Sequence, residues 1–436
     1  MAKPAQKAPP QKTPLSDTRN LTPKERRELF LKARAADKPD YQVLTKDWYD
    51  ELIPYGMVTF DYVLGLGGIS RHGRVSQVHG DEGVGKSTLT YQIAKNYQEF
   101  TGEPLGVFDF EGTGTPGYLE SIGADLDMVK LLQPDCMEDS VKETLSLIDQ
   151  GCRFFIYDSI PWIDTLVDKK DIMSGKAFKS SYGKQAQVMT KFFKLLHPHV
   201  KRADGHMFMV NQTRARIDDS REAEYASDYS YTNKTYVLPG GRICRFTPSV
   251  MVELRMVKEV VPLVPGHVSG SGPDKDPFVV EPATPETEGK PCATRIRART
   301  LKNKVTGAGF RQGYLWQRPT TYGGRPGFDE NMSVRELARD HGLIQNKGAK
   351  WFVGPSPDAA IAAYPNKDAA VEDLVVRQNP EVLAKLRELV IEAVRADGGR
   401  YAAEVDPDEV KFLEGDEAAR VEEVAPAGGA FAVEEA

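Results

Sequence analysis

The sequence contains no run of about eighteen consecutive apolar residues, the length that a membrane-spanning helix requires. Its opening residues, MAKPAQKAPPQK, also lack the apolar segment and cleavage site of an export signal. The four cysteines (Cys136, Cys152, Cys244 and Cys292) include no CxxC pair, which argues against a disulfide framework and a structural zinc site. We therefore expect a cytoplasmic protein, not bound to a membrane, whose cysteines are ordinary thiols.

An excess of positive charge is absent as well. The chain carries 57 Lys and Arg against 63 Asp and Glu, which leaves a net charge of −6 at pH 7. A nucleic-acid-binding protein of this composition would have to depend on local basic patches, because its overall charge repels phosphate. Hydrophobic residues make up 40% of the 436 positions, which is enough for a sizeable core and predicts about two to four domains.

The two ends of the chain are poor in core-forming residues. Residues 1–20 are rich in Pro, Lys, Gln and Thr, and we expect a disordered basic arm there. From Glu404 onward there are eleven acidic and two basic residues, so residues 397–436 are expected to form an acidic disordered tail. Such a tail can cover basic DNA-binding segments or can simply keep a protein soluble, and both roles stay open.

A basic amphipathic helix is expected next to the arm. Thr22, Pro23 and Glu25 fit a capping box with proline at the first helical position, and the helix should extend to about Ala36. Its apolar side chains form one stripe on an otherwise basic surface, so the helix needs a partner surface.

Short apolar runs alternate with amphipathic stretches through the middle of the chain. The runs are VSQVH, LGVFDF, RFFIYD, HMFMV and SVMVELRM, followed later by the alternating, basic TRIRARTLKNK. This alternation is typical of a wound α/β domain with a largely parallel sheet. The Pro- and Gly-rich stretch from Val260 to Cys292 is interpreted as a long loop between two strands. Residues 326–396 should form a smaller α+β unit, with helices over Ser333 to Asp340 and after Asn379.

A phosphate-binding loop is the most specific motif. Residues 80–87 match GxxxxGK[ST], directly after VSQVH and before an amphipathic stretch. Glycines let backbone N–H groups surround a phosphate, Lys86 would neutralise β- and γ-phosphate oxygens, and Ser87 would bind Mg²⁺. The predicted cofactors are therefore ATP and Mg²⁺. The residues assigned to nucleotide binding here are Gly80, Asp81, Glu82, Gly83, Val84, Gly85, Lys86, Ser87 and Thr88.

Two carboxylates could complete this site. Asp158 ends the run RFFIYD, where a hard oxygen ligand can hold Mg²⁺ through water. Glu111 closes LGVFDF, the strand expected next to the phosphate-loop strand, where a carboxylate can orient or deprotonate the water that attacks the γ-phosphate. An acidic residue at a strand end is often only a solvated side chain, so both assignments depend on the phosphate loop.

The order of these motifs resembles that of the RecA recombinase family. The segment GLGGISRHGRVSQVHGDEGVGKSTLTYQIA resembles the family's phosphate-loop region. The segment VFDFEGTGTPGYLESIGADLDMVKLLQPD resembles the part that carries its catalytic glutamate, and FFIYDSIPWI resembles its second nucleotide motif. The segment MFMVNQTRARI resembles the family's strand with the γ-phosphate sensor. The segment LPGGRICRFTPSVMVELR resembles the end of its second DNA-binding loop, and TRIRARTLKNK resembles the strand that carries its interface basic pair. The similarity extends from about residue 46 to residue 396.

This resemblance implies a fold and an assembly. Residues 57–325 would form a RecA-like phosphate-loop ATPase core, residues 21–56 an N-terminal oligomerisation helix and polymerisation segment, and residues 326–396 the small C-terminal domain. The chain would form a homo-oligomeric helical filament on DNA. Lys302 and Lys304 would reach the ATP held by the neighbouring subunit, and Phe246 would pack at the interface between subunits.

The resemblance also implies roles within the nucleotide site. Lys86 and Glu111 would be catalytic, Gln212 would sense the γ-phosphate, and Tyr118 would stack on adenine. Tyr118 could instead be a core ring, and the two interface lysines could be merely exposed strand charges. The sequence departs from the family at Thr115, where an acidic residue usually lies beside adenine, and in the unusual length of the Val260 to Cys292 segment.

Two polar segments are expected to bind DNA. The first, residues 161–184, interleaves lysines with aromatic rings, which suits single-stranded DNA because amines follow phosphates while rings stack on bases. Taken alone, it would be better interpreted as a solvated lysine-rich loop. The second, residues 213–241, combines basic residues and tyrosines with several unhelpful acidic residues, and ends in two glycines that would start a phosphate-binding helix. The residues assigned to DNA binding are Lys176, Lys179, Tyr182, Lys184, Arg214, Arg216, Gly240 and Gly241.

Together these features favour an ATP-dependent homologous recombinase, a DNA-dependent ATPase that forms filaments on single-stranded DNA and pairs it with double-stranded DNA. A hexameric RecA-fold helicase or motor would share the phosphate loop, Glu111 and Asp158, while the basic pair and the two glycines favour the recombinase. A DNA-binding scaffold that uses ATP only for assembly would require Glu111 to be dispensable.

Overall fold

The computed structural model describes residues 52–65, 68–165, 184–215, 236–264, 272–306, 311–319 and 326–396. The expected basic arm, basic helix and acidic tail, and most of both DNA-binding segments, lie outside the described residues. Within the described part of the chain, no helix is both long enough and apolar enough to cross a membrane.

Strands and helices alternate through most of the described chain. The strands are β1 (Leu52–Ile53), β2 (Ile69–Ser70), β3 (Arg74–Gly80), β4 (Leu105–Asp109), β5 (Val129–Leu132), β6 (Phe154–Asp158), β7 (His206–Gln212), β8 (Arg214–Ala215), β9 (Tyr236–Val237), β10 (Val250–Val260), β11 (Ala293–Asn303), β12 (Gln312–Arg318), β13 (Gly327–Phe328), β14 (Ile344–Lys347), β15 (Lys350–Val353) and β16 (Ala362–Tyr364). The helices are α1 (Val58–Val63), α2 (Lys86–Thr101), α3 (Pro116–Ile122), α4 (Met137–Asp149), α5 (Lys184–Arg202), α6 (Ile243–Phe246), α7 (Glu330–Asp340), α8 (Lys367–Val371) and α9 (Pro380–Ala396).

A nine-stranded sheet forms the centre of this fold, in the order β13-β12-β11-β10-β3-β7-β6-β4-β5. The six neighbouring strands from β10 to β5 in that order run parallel. Antiparallel pairing of β11, β12 and β13 extends the sheet on one side. The expectation of an α/β domain with a largely parallel sheet is therefore confirmed.

Both faces of the parallel part of the sheet are buried, which explains why its strands are continuous apolar runs. In β6, Phe154 and Ile156 belong to one apolar layer, whereas Phe155 and Tyr157 belong to the other, as the two-residue period of a strand requires. Side chains of α2 complete the first layer, and side chains of α4 and α5 complete the second. Each buried aromatic side chain stabilises the fold by about 2–3 kcal/mol, so helices and sheet hold each other in place.

The position of one strand differs from the sequence-based expectation. The strand LGVFDF, β4, was expected beside the phosphate-loop strand β3, but β7 and β6 lie between them. It also ends at Asp109, so Glu111 lies two residues beyond it. The crossover from β3 to β4 skips two positions that later strands fill, and such long-range connections are not encoded in the apolar pattern of any one strand.

The C-terminal residues are continuous with the main sheet. Strand β13 pairs with β12, although its residues follow the domain boundary drawn after residue 325, and the division of the chain into domains stays a prediction. The remaining strands form a separate antiparallel sheet in the order β14-β15-β16. Helix α7 begins three residues earlier than expected, at Glu330. Helix α9 begins at Pro380, and the Asn379 side chain accepts the N–H of Glu381 at 3.2 Å, as its capping sequence predicts.

The long connection between β10 and β11 packs against these C-terminal elements. Phe278 and its two following valines are buried, after a short 3₁₀ turn at Pro273–Lys275. The ring centroid of Phe278 lies 4.5 Å from that of Trp351 in β15. Arg339 of α7 donates to the carboxylate of Asp276 at 2.7 Å. The described part of this connection is therefore a packed segment that fastens the C-terminal elements to the edge of the sheet.

Strand β12 is held by the same elements. The indole N–H of Trp316 donates to Glu336 of α7 at 2.6 Å, and Arg318 donates to both carboxylate oxygens of Glu281 at 3.2 Å. Trp316 is buried, and removing one partner of such a buried polar pair is strongly destabilising. Gln317 lies between these two residues in the strand, so its side chain points to the opposite face.

Candidate active site

The phosphate loop connects the end of β3 to the start of α2. Gly83 and Gly85 adopt left-handed backbone conformations, with φ of 72° and 79°, which an L side chain would strain. A Cβ atom at Gly85 would also come within 2.4 Å of the Gln317 side-chain oxygen, whereas one at Gly83 would meet no atom within 4 Å. Gly85 is therefore enclosed by protein, while Gly83 faces open space of the kind that a phosphate group requires.

Lys86 is a nearly buried cation, with 7% of its surface exposed. Its Nζ donates to the backbone oxygens of Gly80 at 3.1 Å and Asp81 at 2.6 Å, which leaves one of its three N–H donors for a ligand oxygen. Burial lowers the pKa of Lys86, while the charges of nearby carboxylates, with Asp158 and Glu111 foremost, oppose that shift. The ammonium thus combines a fixed position with an available donor at the mouth of the loop.

Ser87 and Asp158, the two residues expected to bind Mg²⁺, are in direct contact. The Ser87 hydroxyl donates to the Asp158 carboxylate at 2.6 Å. Asp158 is the last residue of β6 and is 3% exposed, and burial raises its pKa to about 6, with the Ser87 hydrogen bond acting in the opposite sense. Among the described residues, no three His, Cys, Asp or Glu side chains are grouped to hold a metal on their own. These two hard oxygen donors fit Mg²⁺, a cation that takes its other ligands from phosphate and water.

Glu111 and Gln212 come together at the same edge of the sheet. The Gln212 side-chain nitrogen lies 3.3 and 3.5 Å from the two carboxylate oxygens of Glu111. Gln212 is the last residue of β7 and Glu111 follows β4, so the two approach each other across the end of β6. The carboxyl ends of parallel strands meet at one edge, which explains how motifs a hundred residues apart share a site.

Sequence reasoning missed three contributors to this site. Asp109 binds the turn that carries Glu111, and an aspartate followed at three and five positions by glycine was a usable local signal. Thr213 donates its N–H to the oxygen of Gly80 at 3.1 Å and its hydroxyl to the carboxylate of Asp81. Gln317 donates to the Thr88 hydroxyl at 3.1 Å, and no sequence signal connects these two residues.

Tyr118 lies at the rim of the site on α3. Its hydroxyl is 2.9 Å from that of Thr88, and its ring makes an edge contact with Tyr91 at 6.1 Å between centroids. Thr115 caps this helix by accepting the N–H of Tyr118 at 3.3 Å. The ring is partly buried against the core, so its expected stacking on adenine stays a prediction.

The basic pair expected to act across an interface lies beside Phe246. The Nζ of Lys302 donates to the backbone oxygens of Arg245 at 2.7 Å and Phe246 at 3.1 Å, at the end of α6. Burial, with a smaller contribution from Lys304, lowers the pKa of Lys302 to about 8. Lys304 follows β11 directly, and its N–H donates to the oxygen of Ser249 at 2.8 Å. The Phe246 side chain is 57% exposed, as an interface residue would be before assembly.

The structure describes half of the residues assigned to DNA binding. Lys176, Lys179, Tyr182 and Arg216 lie outside the described residues. Lys184 is the first residue of α5 rather than part of a loop, and Arg214 is exposed in the short strand β8.

The two glycines at the end of the second segment precede a helix but do not start it. Gly240 and Gly241 have φ of 88° and 71°, and α6 begins at Ile243. A Cβ atom at Gly240 would lie 2.4 Å from the Cys244 sulfur, and one at Gly241 would lie 2.4 Å from the Ala186 Cβ. Backbone conformation and close packing therefore require both glycines, and their role toward DNA stays a prediction.

Comparison with known proteins points to one family. Residues 44–264 match the family model of the RecA N-terminal domain. The chain is 26% identical over 379 residues to Protein RecA of Deinococcus radiodurans, an alignment that covers 87% of each protein. It is 23% identical over 379 residues to Protein RecA of Lactobacillus acidophilus, again over 87% of each. With Protein RecA of Symbiobacterium thermophilum it shares 26% identity over 345 residues, 78% of this chain and 83% of that protein.

Replacing Lys86 by Ala should remove nucleotide binding, because the variant loses the buried ammonium that faces the open side of the loop. We expect the affinity for Mg²⁺-ATP to fall by about 100-fold or more in isothermal titration calorimetry. Lys95→Ala is a matched control on the same helix, since Lys95 pairs with the exposed Glu99 and should leave the affinity unchanged. An unaltered affinity in Lys86→Ala would contradict the phosphate-loop assignment.

Protonation of Asp158 should make the stability of the nucleotide-free protein depend on pH. Its pKa in the folded state, about 6, exceeds the ordinary value near 4, so the folded state binds the proton more tightly between these values. The free energy of unfolding should therefore fall as pH rises from about 4 to 6, by up to about 3 kcal/mol. Burial also raises the pKa values of Asp61, Glu330 and Asp340, so the stability of Asp158→Asn should fall as well, but by less than that of the native chain, and the difference between the two urea-unfolding profiles without Mg²⁺ measures the contribution of Asp158. Parallel pH profiles would contradict the raised pKa.

Proposed function

The chain belongs to the RecA family, and from this premise we propose that it is an ATP-dependent homologous recombinase of the cytoplasm. It would form filaments on single-stranded DNA, hydrolyse ATP with Mg²⁺ at the interfaces between subunits, and promote pairing and strand exchange with double-stranded DNA. The observation that carries the proposal is the contact of Glu111 with Gln212. It connects the carboxylate suited to catalysis with the strand that continues into the second DNA-binding segment.

The positions of these side chains support the proposed hydrolysis of the terminal phosphate. Lys86 would neutralise the phosphate oxygens, and Glu111 would orient the attacking water and accept its proton. Ser87 and Asp158 would hold Mg²⁺, which supplies charge neutralisation on the phosphates when bound. Positioning and electrostatic stabilisation account for most of the catalysis of phosphoryl transfer. A site that aligns these groups would therefore have the features that ATP hydrolysis requires.

Gln212 supports a connection between nucleotide state and DNA binding. The Gln212 amide donates to Glu111, which holds the end of β7 in one position. If the amide donated to a γ-phosphate instead, the end of β7 would take a second position. The next residue, Thr213, donates hydrogen bonds to Gly80 and Asp81 of the phosphate loop. It is also the first residue of the second segment proposed to bind DNA. A change at the γ-phosphate would therefore act directly on the first residues of that segment.

The position of Lys302 supports assembly through a shared site. Its Nζ donates from β11 to the last backbone oxygens of α6, the helix that carries the exposed aromatic ring of Phe246. If Phe246 packs on a neighbouring subunit, Lys302 and Lys304 are carried to that subunit with it. Such a head-to-tail contact generates an open helical filament when the rotation does not close, and a ring when it does.

Electron microscopy with single-stranded DNA and a non-hydrolysable ATP analogue tests the proposed assembly. We expect long helical filaments for the native chain and none for Lys86→Ala. In a separate assay, the native chain should also exchange a single strand with a homologous duplex. Closed rings would favour the hexameric motor. Filaments with ATPase activity but without strand exchange would contradict the recombinase assignment.

Mixing two defective variants tests whether the ATPase site is shared between subunits. Lys302→Ala keeps the phosphate loop of a junction intact, and Lys86→Ala keeps the basic pair intact. In a random equal mixture about a quarter of the junctions combine the two intact halves, so up to about a quarter of the native ATPase activity should return. Lys304→Ala should complement Lys86→Ala in the same way. Ser87→Ala mixed with Lys86→Ala is the control, because both changes affect the same half and no intact junction forms. If co-assembly is verified and no activity returns, the basic pair does not act across the interface.

A further inference from the structure

A buried carboxylate to which the proposed reaction assigns no step lies next to Glu111. Asp109 is the last residue of β4 and is 2% exposed. One of its oxygens accepts the N–H of Gly112 at 2.9 Å. The other accepts the N–H of Gly114 at 2.8 Å and the side-chain nitrogen of Gln133 at 3.2 Å. A buried carboxylate is tolerated only where such donors offset its desolvation, so this arrangement specifies the conformation of the turn.

These bonds fix the backbone on both sides of Glu111. On the preceding side, the N–H of Phe110 donates to the backbone oxygen of Asp158 at 2.7 Å, which attaches the turn to the neighbouring strand β6. On the following side, Gly112 is held by Asp109 in a left-handed conformation with φ of 73°. The backbone of residue 111 therefore has little freedom, although its side chain is not buried in the core.

Gly114 completes the enclosure of the Asp109 carboxylate. A Cβ atom there would lie 3.0 Å from an Asp109 oxygen and 2.6 Å from the Tyr91 hydroxyl. The turn thus closes tightly over the carboxylate, so that Asp109 is covered by the turn it organises. The hydrogen bonds described for its carboxylate therefore come from the turn and from Gln133, and none of them comes from the phosphate loop.

We propose that Asp109 is a positioning residue for Glu111. It holds the turn after β4 so that the Glu111 carboxylate points towards Gln212 and the attacking water, and it does not touch the nucleotide. This inference rests on the proposed function, because it takes Glu111 as the carboxylate that prepares the water. A shift of about 1 Å in a reacting group can cost about 100-fold in rate, so the loss of one bond in this turn should be visible in turnover.

Kinetics of the full-length Asp109→Asn variant test the proposal. Asparagine keeps one acceptor oxygen and replaces the other by an amide NH2 group, which donates hydrogen bonds and cannot accept a backbone N–H. We expect kcat for ATP hydrolysis to fall by about 10- to 100-fold, while the affinity for a fluorescent ATP analogue stays within about twofold of native. Amide hydrogen exchange at Gly112 and Gly114 should become faster. Asp125→Asn makes the same change at an exposed carboxylate that accepts the backbone N–H of Asp127 away from the site, and it should leave kcat, the affinity and the exchange at Gly112 and Gly114 unchanged.

Asp109→Glu separates position from charge. Glutamate retains the negative charge that contributes to the raised pKa of Asp158, but its longer side chain displaces the accepting oxygens. A positioning role predicts that kcat falls in this variant as well. Native turnover in Asp109→Glu would overturn the proposal in favour of a purely electrostatic role.

A double variant shows whether Asp109 acts through Glu111. In single-turnover hydrolysis, Asp109→Asn should slow the native enzyme but should cause no further loss in a Glu111→Gln background. Additive losses, or a parallel loss of nucleotide binding, would reveal a general structural role and would overturn the proposal. If Glu111→Gln is inactive and Asp109→Asn hydrolyses ATP normally, the positioning role fails while the proposed function stands. Full activity of Glu111→Gln would overturn the assigned role of Glu111 and this inference with it.

Discussion

The buried ammonium of Lys86 is the charge around which the rest of the site is organised. Taking a cation out of water is costly unless hydrogen bonds and opposite charges replace the solvent. Two backbone oxygens of the phosphate loop provide the hydrogen bonds, and Asp158 and Glu111 provide the charge. One cation among several carboxylates leaves the carboxylates in excess, which contributes to the raised pKa of Asp158. An edge of this kind favours the addition of a divalent cation, and the phosphate loop favours the polyphosphate that would accompany it.

The elements farthest from the phosphate loop in sequence also support it. Strand β12 is fastened on one face by Trp316 and Arg318, through Glu336 of α7 and Glu281 of the long connection. From its other face, Gln317 reaches the phosphate loop at Gly85 and the hydroxyl of Thr88. The C-terminal elements and the described part of the β10–β11 connection therefore support the phosphate loop indirectly, through β12. Val279 and Val280 of the connection belong to the same buried apolar cluster as Trp316, which packs the connection closely against β12.

Two structural connections bear on the proposed assembly. One passes from the site through Gln212 and Thr213 to the second segment proposed to bind DNA, by hydrogen bonds to Glu111 and to the phosphate loop. The other is the contact by which Lys302 holds the end of the short helix that carries Phe246. If the proposed interface forms, the two connections meet at each junction between subunits. Hydrolysis, DNA binding and assembly would then be interdependent, because each changes the contacts available to the others.

Local chemistry was readable from the sequence. The glycines and lysine of the phosphate loop, the apolar runs of the strands and the Asn379-Pro380 start of α9 all depend on residues close together in the chain, so their patterns predicted them. Only the tertiary structure decided the strand order that separates β4 from β3, the contact of Lys302 with α6, and the support of Gly85 by Gln317. These depend on which distant segments become neighbours, which crossover connections and side-chain packing determine and no local pattern records. Asp109 combines both kinds of information. Its spacing to Gly112 and Gly114 is local and readable from the sequence, whereas its proposed positioning role depends on where the fold places Glu111.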